Sequence, residues 1–120
     1  PRVKTVKRRW REVKGTKELL DEIFSLIHEQ AILAFPEFGF ERKRDGWEAT
    51  RGEINGEKVR GSLYYYDNDP SCFKNQRTGD IITLWDYVQS RYGLSRQETL
   101  GKLAEMADYE LPDITEYSSE

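Results

Sequence analysis

The chain has 120 residues, with 19 Lys or Arg, 22 Asp or Glu and one His, so its net charge is −3. Its length predicts a single domain. No apolar run approaches the roughly 18 residues of a membrane span, and no apolar stretch follows the basic N-terminus as in a signal peptide, so we expect a soluble, cytoplasmic protein without a membrane partner. The lone cysteine, Cys72, excludes an internal disulfide, and together with His28 it supplies too few ligands for an ordinary structural zinc site.

The first 17 residues are strongly basic. They carry eight Lys or Arg against Glu12 alone, a balance of +7, so the rest of the chain sums to −10. Basic segments attract polyanions and speed their encounter with a protein. We predict a basic N-terminal arm over residues 1–16. A solvated arm, or one that pairs with the acidic helices of the same chain, is the alternative explanation.

An amphipathic helix is predicted over residues 18–34. Thr16 is placed to cap its start, and Pro36 requires it to end. His28 lies on this helix, and without a second His we expect it to be a surface or boundary residue rather than a ligand or a base. The apolar residues at three- and four-residue spacing are Leu19, Leu20, Ile23, Phe24, Ile27 and Ala31.

Residues 46–66 predict a β-hairpin. Asn55-Gly56 is the preferred pair for a two-residue type I′ turn, because both central positions need positive φ. The expected opposite pairs are Ile54 and Glu57, Glu53 and Lys58, Arg51 and Arg60, Ala49 and Ser62, and Trp47 and Tyr64. Alternation then sorts the side chains into two faces. The core face would carry Ile54, Val59, Leu63 and Tyr65, and the outward face Trp47, Arg51, Lys58, Arg60, Tyr64 and Tyr66.

The outward face of this hairpin is the first pointer to function. Arg51 opposite Arg60 should be mildly destabilising, so an anion or a carboxylate such as Glu53 has to offset it. Cations interleaved with aromatic rings suit single-stranded nucleic acid, whose phosphates and unstacked bases they bind. A solvated strand face whose aromatic residues pack against the chain is the alternative.

The C-terminal half predicts a strand and two helices. Residues 71–74 read as a strand, and Asp80 is placed to cap a helix. Gly93 ends that helix, and Ser95 with Glu98 forms a capping box that starts another. The predicted buried residues of the first helix are Ile81, Ile82, Leu84, Trp85 and Val88.

These elements predict an α+β domain over residues 17–112. A small antiparallel sheet of three or four strands would carry an N-terminal helix and two C-terminal helices. The acidic tail over residues 113–120 is expected to fray or to serve as a linker.

Catalysis by this chain is not expected. The sequence has no glycine-rich phosphate loop and no nucleophile motif, and we expect no cofactor. Asp67 and Asp69 could bind a divalent ion, but a tight loop before Pro70 explains them as well.

The C-terminal half resembles the N-terminal zinc-binding domain of bacterial and phage DNA primases. The stretches that carry the resemblance are 71–84, 92–95, 98–100, 103–104 and 109–112. In that family a Cys-Phe-x-Cys strand leads through Gly-Asp into a helix, and a Gly-Leu-Ser break precedes a second helix that ends in Leu-Ala and a closing Leu-Pro. About 40 residues follow this pattern, and the preceding hairpin and helix match it in order.

The zinc ligands of that family are missing here. Cys72 falls on the third ligand, but Asn75 stands at the fourth, and residues 51–62 contain neither Cys nor His. Asn cannot supply thiolate charge, so we expect no metal here and a zinc-ribbon-like fold without zinc. Such zinc-less forms occur in primase-like proteins of plasmids, phages and other mobile elements. The hairpin, Tyr64, Tyr65 and Phe73 would hold the sheet instead.

The resemblance implies a β-ribbon that contacts template DNA, with catalysis in a separate domain or chain. We therefore predict a non-catalytic, single-stranded-DNA-binding domain of a primase-like or replication protein, with a replicative helicase, primase or polymerase subunit as a possible partner. The predicted DNA-binding residues are Trp47, Arg51, Lys58, Arg60, Tyr64 and Tyr66, with Lys74 and Arg77 at the edge. The alternatives are an adaptor whose acidic helices at 18–34 and 80–107 dock a helicase or polymerase, and an acidic mimic of DNA.

Overall fold

Residues 16–111 are described in this computed structural model. The predicted basic arm, apart from Thr16, lies outside the described residues, and so does the predicted tail over residues 113–120. No helix in the described part is long and apolar enough to cross a membrane.

The N-terminal helix is present, but it is divided. Helix α1 spans Thr16–Glu29, and a further turn, α2, spans Ala31–Ala34. Gln30 separates them because its backbone (φ −124°, ψ 41°) is not helical. A 3₁₀ helix, Pro36–Phe38, follows, and its proline occupies the first turn, where no backbone donor is needed. The predicted apolar stripe is buried at Leu19, Ile23, Phe24, Ile27 and Ala31.

Within residues 16–111, seven short strands form two antiparallel sheets. They are β1 (Glu41–Arg42), β2 (Gly46–Glu48), β3 (Glu53–Ile54), β4 (Glu57–Lys58), β5 (Leu63–Tyr66), β6 (Cys72–Asn75) and β7 (Ile81–Thr83). The main sheet has five strands in the order β1-β2-β5-β6-β7, and β3 with β4 forms a separate hairpin. The predicted α+β class is confirmed. The predicted number of strands in the sheet, three or four, is wrong. The edge strands β1 and β7 were not predicted.

The hairpin turn is confirmed, but the register beyond it is not as predicted. Asn55 and Gly56 both have positive φ (53° and 82°), and β3 pairs with β4 as expected. The chain then makes a helical turn, in which the Val59 carbonyl accepts hydrogen bonds from the amides of Ser62 and Leu63. This turn adds one residue between β4 and β5, as a bulge does. The pairs of β2 with β5 are therefore shifted by one residue from the predicted register. The expected pairs of Trp47 with Tyr64 and of Ala49 with Ser62 are therefore wrong, and the observed pairs of β2 with β5 are Gly46–Tyr66, Trp47–Tyr65 and Glu48–Tyr64.

The shifted register defines two faces of the main sheet. The inner face carries Trp47, Leu63, Tyr65, Phe73 and Ile82, and it packs on the core. The outer face carries Glu48, Tyr64, Tyr66, Cys72, Lys74 and Ile81. No member of the buried core cluster projects from the outer face. The predicted core face is confirmed, since Val59, Leu63 and Tyr65 are buried and Ile54 is half-buried.

The core is largely aromatic. Phe73, on β6, is fully buried, and its ring centroid lies 5.1 Å from those of Phe35 and Tyr65 in edge-on arrangements. Phe38, Phe40 and Tyr87 complete the cluster around it. Edge-on aromatic pairs add about 0.5–1.5 kcal/mol beyond the burial of their area. Aromatic packing therefore connects the inner face of the sheet to the helices.

The helix that Asp80 was predicted to cap begins instead at Leu84. Residues 81–83 form β7, and helix α3 spans Leu84–Tyr92, capped by Thr83, whose Oγ1 accepts from the Asp86 amide at 3.1 Å. Asp80 is therefore not the cap, and Ile81 is 65% exposed rather than buried. The apolar Ile-Ile pair suits a strand as well as a helix, and pairing with β6 decides between them.

The end of α3 and the start of the last helix are as predicted. Gly93 adopts a left-handed conformation (φ 62°) and ends α3, and Ser95 begins α4 (Arg96–Met106). Both bonds of the capping box are present, from the Ser95 amide to Glu98 at 2.8 Å and from the Glu98 amide to Ser95 Oγ at 3.2 Å.

Candidate nucleic-acid interface

A stacked pair of tyrosines lies at the centre of the outer face. The rings of Tyr64 and Tyr66 are 5.4 Å apart and nearly parallel, with an interplanar angle of 18°. Tyr64 donates its hydroxyl hydrogen to Glu48 Oε1 at 2.9 Å, and this hydrogen bond is the main reason that its pKa is raised. The Tyr66 hydroxyl bonds the side-chain amide of Gln76. Both rings are thus held in place, each half-buried, on a face from which no residue of the described core cluster projects.

A basic patch, consisting of Lys58, Arg60 and Arg77, is connected to this pair through Gln76, which precedes Arg77 and bonds the Tyr66 hydroxyl. Lys58 and Arg60 line a shallow groove of about 380 Å³, and Arg77 donates from its guanidinium to the Lys58 carbonyl at 3.3 Å. Within residues 16–111, no carboxylate forms an ion pair with any of the three. Glu53 lies opposite Lys58 and lines the same groove, so among the described residues the patch keeps a reduced but positive charge.

Arg51 shares the groove but has a structural partner. Its guanidinium donates to the Pro36 carbonyl at 2.8 Å and so ties the hairpin to the 3₁₀ helix. The sequence predicts Arg51 directly opposite Arg60. Both line the same groove, but both lie outside β3 and β4, so no strand pair joins them. Substituting Arg51 would disturb this connection as well as any ligand contact.

Trp47 does not belong to this surface. Because of the register shift it pairs with Tyr65 and lies on the inner face, where its indole Nε1 donates to the His28 carbonyl at 2.9 Å. The Arg42 guanidinium lies 5.3 Å from the centre of its ring. The prediction that Trp47 faces outward with the arginines is therefore wrong.

Two predicted residues sit where the sequence placed them, and one contact was missed. Lys74 pairs with Tyr64 and is exposed on the outer face, and Arg77 lies in the turn after β6. Gln76 was not predicted, although its amide bonds the Ser62 carbonyl at 2.7 Å and its side chain reaches Tyr66. It connects the tyrosine pair with the turn that carries Arg77. No local sequence signal marks this role, because it depends on strand pairing.

Asn75, at the fourth ligand position of the primase-like pattern, organises the turn between β6 and β7. Its side chain is buried, and Oδ1 accepts from the backbone amides of Arg77 and Thr78 at 2.9 and 3.2 Å. Cys72 lies three residues away, so it faces the opposite side of the strand. Burial and a hydrogen bond to Asp69 raise the pKa of the Cys72 thiol to about 11. Cys72 and Asn75 therefore do not converge on one site.

Asp67 and Asp69 lie in the turn after β5, as the loop explanation predicts. Asp67 accepts two hydrogen bonds of 2.7 Å from Arg42, and Asp69 Oδ1 accepts from the Ser71 hydroxyl at 2.6 Å. Over residues 16–111, no three His, Cys, Asp or Glu side chains are grouped so as to hold a metal ion.

His28 is a half-buried boundary residue, as expected, and its environment favours the neutral ring. Nε2 lies 3.3 Å from the Tyr65 carbonyl and 3.2 Å from Asp67 Oδ1. Burial lowers the pKa of His28, although the Tyr65 carbonyl and Asp67 partly oppose that effect. Asp67 opposes it only weakly because Arg42 already neutralises its carboxylate. The short distance between His28 and Asp67 is therefore a contact of a neutral imidazole.

Acidification should weaken the fold through His28. Its folded pKa lies below the unfolded value of about 6.5, so the unfolded chain binds more protons between these two values. Stability should be complete above about pH 6.5 and should fall as the pH drops towards the folded pKa. We expect urea unfolding at a series of pH values to show this loss in the natural chain and a flatter profile in His28→Gln. Parallel profiles for the two proteins would contradict the assignment.

Comparison with protein-family models, curated proteins and solved structures found no significant match to this chain.

Proposed function

We propose that this chain is a non-catalytic domain that binds single-stranded DNA through the outer face of its main sheet and the adjoining basic patch. The observation that carries the proposal is the connection between the basic patch and the stacked Tyr64–Tyr66 pair, which Gln76, next to Arg77 in the chain, makes by bonding Tyr66. Catalysis, such as primer synthesis, would lie in another domain or chain.

The basic patch supports binding of phosphates. None of its three cations forms an ion pair with a carboxylate among residues 16–111, although Glu53 lies opposite Lys58 in the hairpin. A phosphate group would supply the missing countercharge, and neutralising phosphates releases counterions from the nucleic acid. Binding should therefore weaken steeply as the salt concentration rises.

The tyrosine pair supports a single strand over a duplex. Only unpaired bases expose their faces, and aromatic rings on an uncovered sheet give such bases a stacking surface worth about 1–3 kcal/mol per base. Glu48 and Gln76 hold the two rings, which limits the side-chain entropy lost on binding. Lys74, opposite Tyr64, adds a cation to the same face.

The context that we propose is a primase-like or replication protein of a plasmid, phage or other mobile element. It rests on the pattern from residue 71 to 112, which resembles the zinc-binding domain of primases without its ligands. A replicative helicase, primase or polymerase subunit would then be the natural partner.

The test is a titration of a labelled oligothymidine of about 15 nucleotides, followed by fluorescence anisotropy at about 50 and about 200 mM salt. In the full chain, Lys58→Ala/Arg60→Ala should weaken binding about tenfold at low salt and reduce the salt slope by about 2. The matched control, Lys17→Ala/Arg96→Ala, removes the same charge from exposed helix positions and should leave affinity within about twofold. Both variants keep every basic residue of the arm over residues 1–16, so their difference reports on the patch.

Equal losses in the two double variants would contradict the proposal, because affinity would then follow net charge alone. The second candidate, a protein-interaction adaptor, is favoured by the exposed apolar pair Ile32 and Leu33 (52% and 78% exposed) in the short helix α2, which follows the acidic helix α1. Absence of DNA binding even at low salt would favour this adaptor.

A further inference from the structure

We propose a second binding site at the free edge of β7, which would bind an extended peptide of a partner protein as a sixth strand of the main sheet. The peptide would carry alternating apolar and basic side chains. Its exposed Ile81 lies on the outer face, opposite Lys74 of the surface proposed for DNA, whereas its acidic groove lies beside Ile82.

The backbone of β7 presents unpaired groups at this edge. The bonds from the Asn75 amide to Asp80 and from the Leu84 amide to Ser71 fix the alternation of the β6–β7 ladder. Ile82 is thus the β7 residue whose backbone groups point towards β6, while the amides of Ile81 and Thr83 point away from it. No backbone carbonyl in the described part of the chain accepts these two amides. Such a row of free groups is what an added strand binds.

The side chains at the two edges of the sheet differ. At the β1 edge Arg42 is bound to Asp67 and Lys43 to Glu41, and charges of this kind discourage strand addition. At the β7 edge the exposed side chain is Ile81, one of four large hydrophobic residues that the described residues leave exposed. An apolar side chain of an incoming strand could cover it.

The charges around β7 select the kind of peptide. Glu53 and Asp86 line a groove of about 330 Å³ beside Ile82, and Asp80 directly precedes the strand. Arg91 also lines the groove, but Glu37 neutralises it at 3.4 Å. Lys74 projects from the outer face, as does its strand partner Ile81, so it lies on the other side of the sheet from Ile82. Basic side chains of a peptide would therefore be favoured, whereas a second copy of this chain would bring the same carboxylates and be repelled.

The experiment uses the full chain and a synthetic peptide of about seven residues in which Lys and Val alternate. Its binding should slow hydrogen exchange at the Ile81 and Thr83 amides about tenfold, measured by NMR. Ile81→Lys should weaken binding about tenfold, while the matched control Ile32→Lys, the same change at an exposed helical site, should not. Asp80→Asn/Asp86→Asn should also weaken it and lower its dependence on salt.

The proposal is overturned if the peptide does not bind, or if a peptide with Glu in place of Lys binds equally well. Protection of amides elsewhere than at β7, or unchanged affinity in Ile81→Lys, would overturn it too. Because Ile81 is exposed, its replacement should leave the core intact, which circular dichroism can verify.

Discussion

Phe73→Ala should lower the free energy of unfolding by about 3–5 kcal/mol. The ring is fully buried on β6, and it touches the aromatic residues of both neighbouring layers, among them Phe35 and Tyr65. Its removal would leave a cavity that the rigid rings around it cannot fill by shifting. Urea denaturation followed by far-UV circular dichroism measures the loss.

Phe73→Leu is the matched variant for this site. It keeps most of the buried volume but loses the edge-on ring contacts, so the expected cost is about 1–2 kcal/mol. Domains of this size have a total stability of about 5–15 kcal/mol, so this milder variant remains measurable even if the alanine variant is largely unfolded. A loss below about 1 kcal/mol in the alanine variant would show that Phe73 is not central to the core.

Gly46→Ala should cost about 3 kcal/mol, at the upper end of what overpacking usually costs. A Cβ at this position would lie 2.6 Å from the Tyr65 carbonyl oxygen and 2.9 Å from the Tyr66 Cα. Both atoms are backbone of the paired strand, so relief requires β2 and β5 to move apart. The same urea measurement, followed by circular dichroism, should show a lower midpoint.

Gly101→Ala is the control for the glycine substitution. Gly101 lies inside α4, and a Cβ there would meet nothing within 4 Å. Alanine in a helix interior is more favourable than glycine by about 0.5–1 kcal/mol, so this variant should be more stable. If Gly46→Ala also raised stability, the close approach of β2 and β5 would be refuted.

Features that depend on neighbouring residues could be predicted from the sequence. The Asn55-Gly56 turn, the end of α3 at Gly93 and the capping box at Ser95 are determined by the conformation or hydrogen bonds of a few adjacent residues. The apolar stripe of α1 is equally local, because helical periodicity repeats within each turn.

Features that depend on pairing between residues far apart in the sequence could not be predicted from it. The helical turn after Val59 moves the register of β2 against β5 by one residue and so turns Trp47 to the other face. Likewise, Ile81 and Ile82 form a strand because β6 offers them backbone partners, although their apolar character also fits a helix.

The candidate site was predicted unevenly for the same reason. Lys58, Arg60 and Arg77 do come together, because a tight hairpin and the turn after β6 bring them close. Arg51 is partly engaged by Pro36, and Gln76 joins the surface through contacts that only the folded sheet creates. Composition and alternation indicated the right kinds of residues but not their final partners.

The buried amide of Asn75 affects how Arg77 can meet a ligand. Since Oδ1 restrains the amides of Arg77 and Thr78, the main chain beneath the guanidinium is already ordered in the free protein. Ordering the backbone of one residue costs about 1–2 kcal/mol of conformational entropy. Here that loss occurs on folding, so it does not weaken binding. Pre-organisation by a single side chain would thus let a small cationic surface engage a polyanion without a coupled disorder-to-order step.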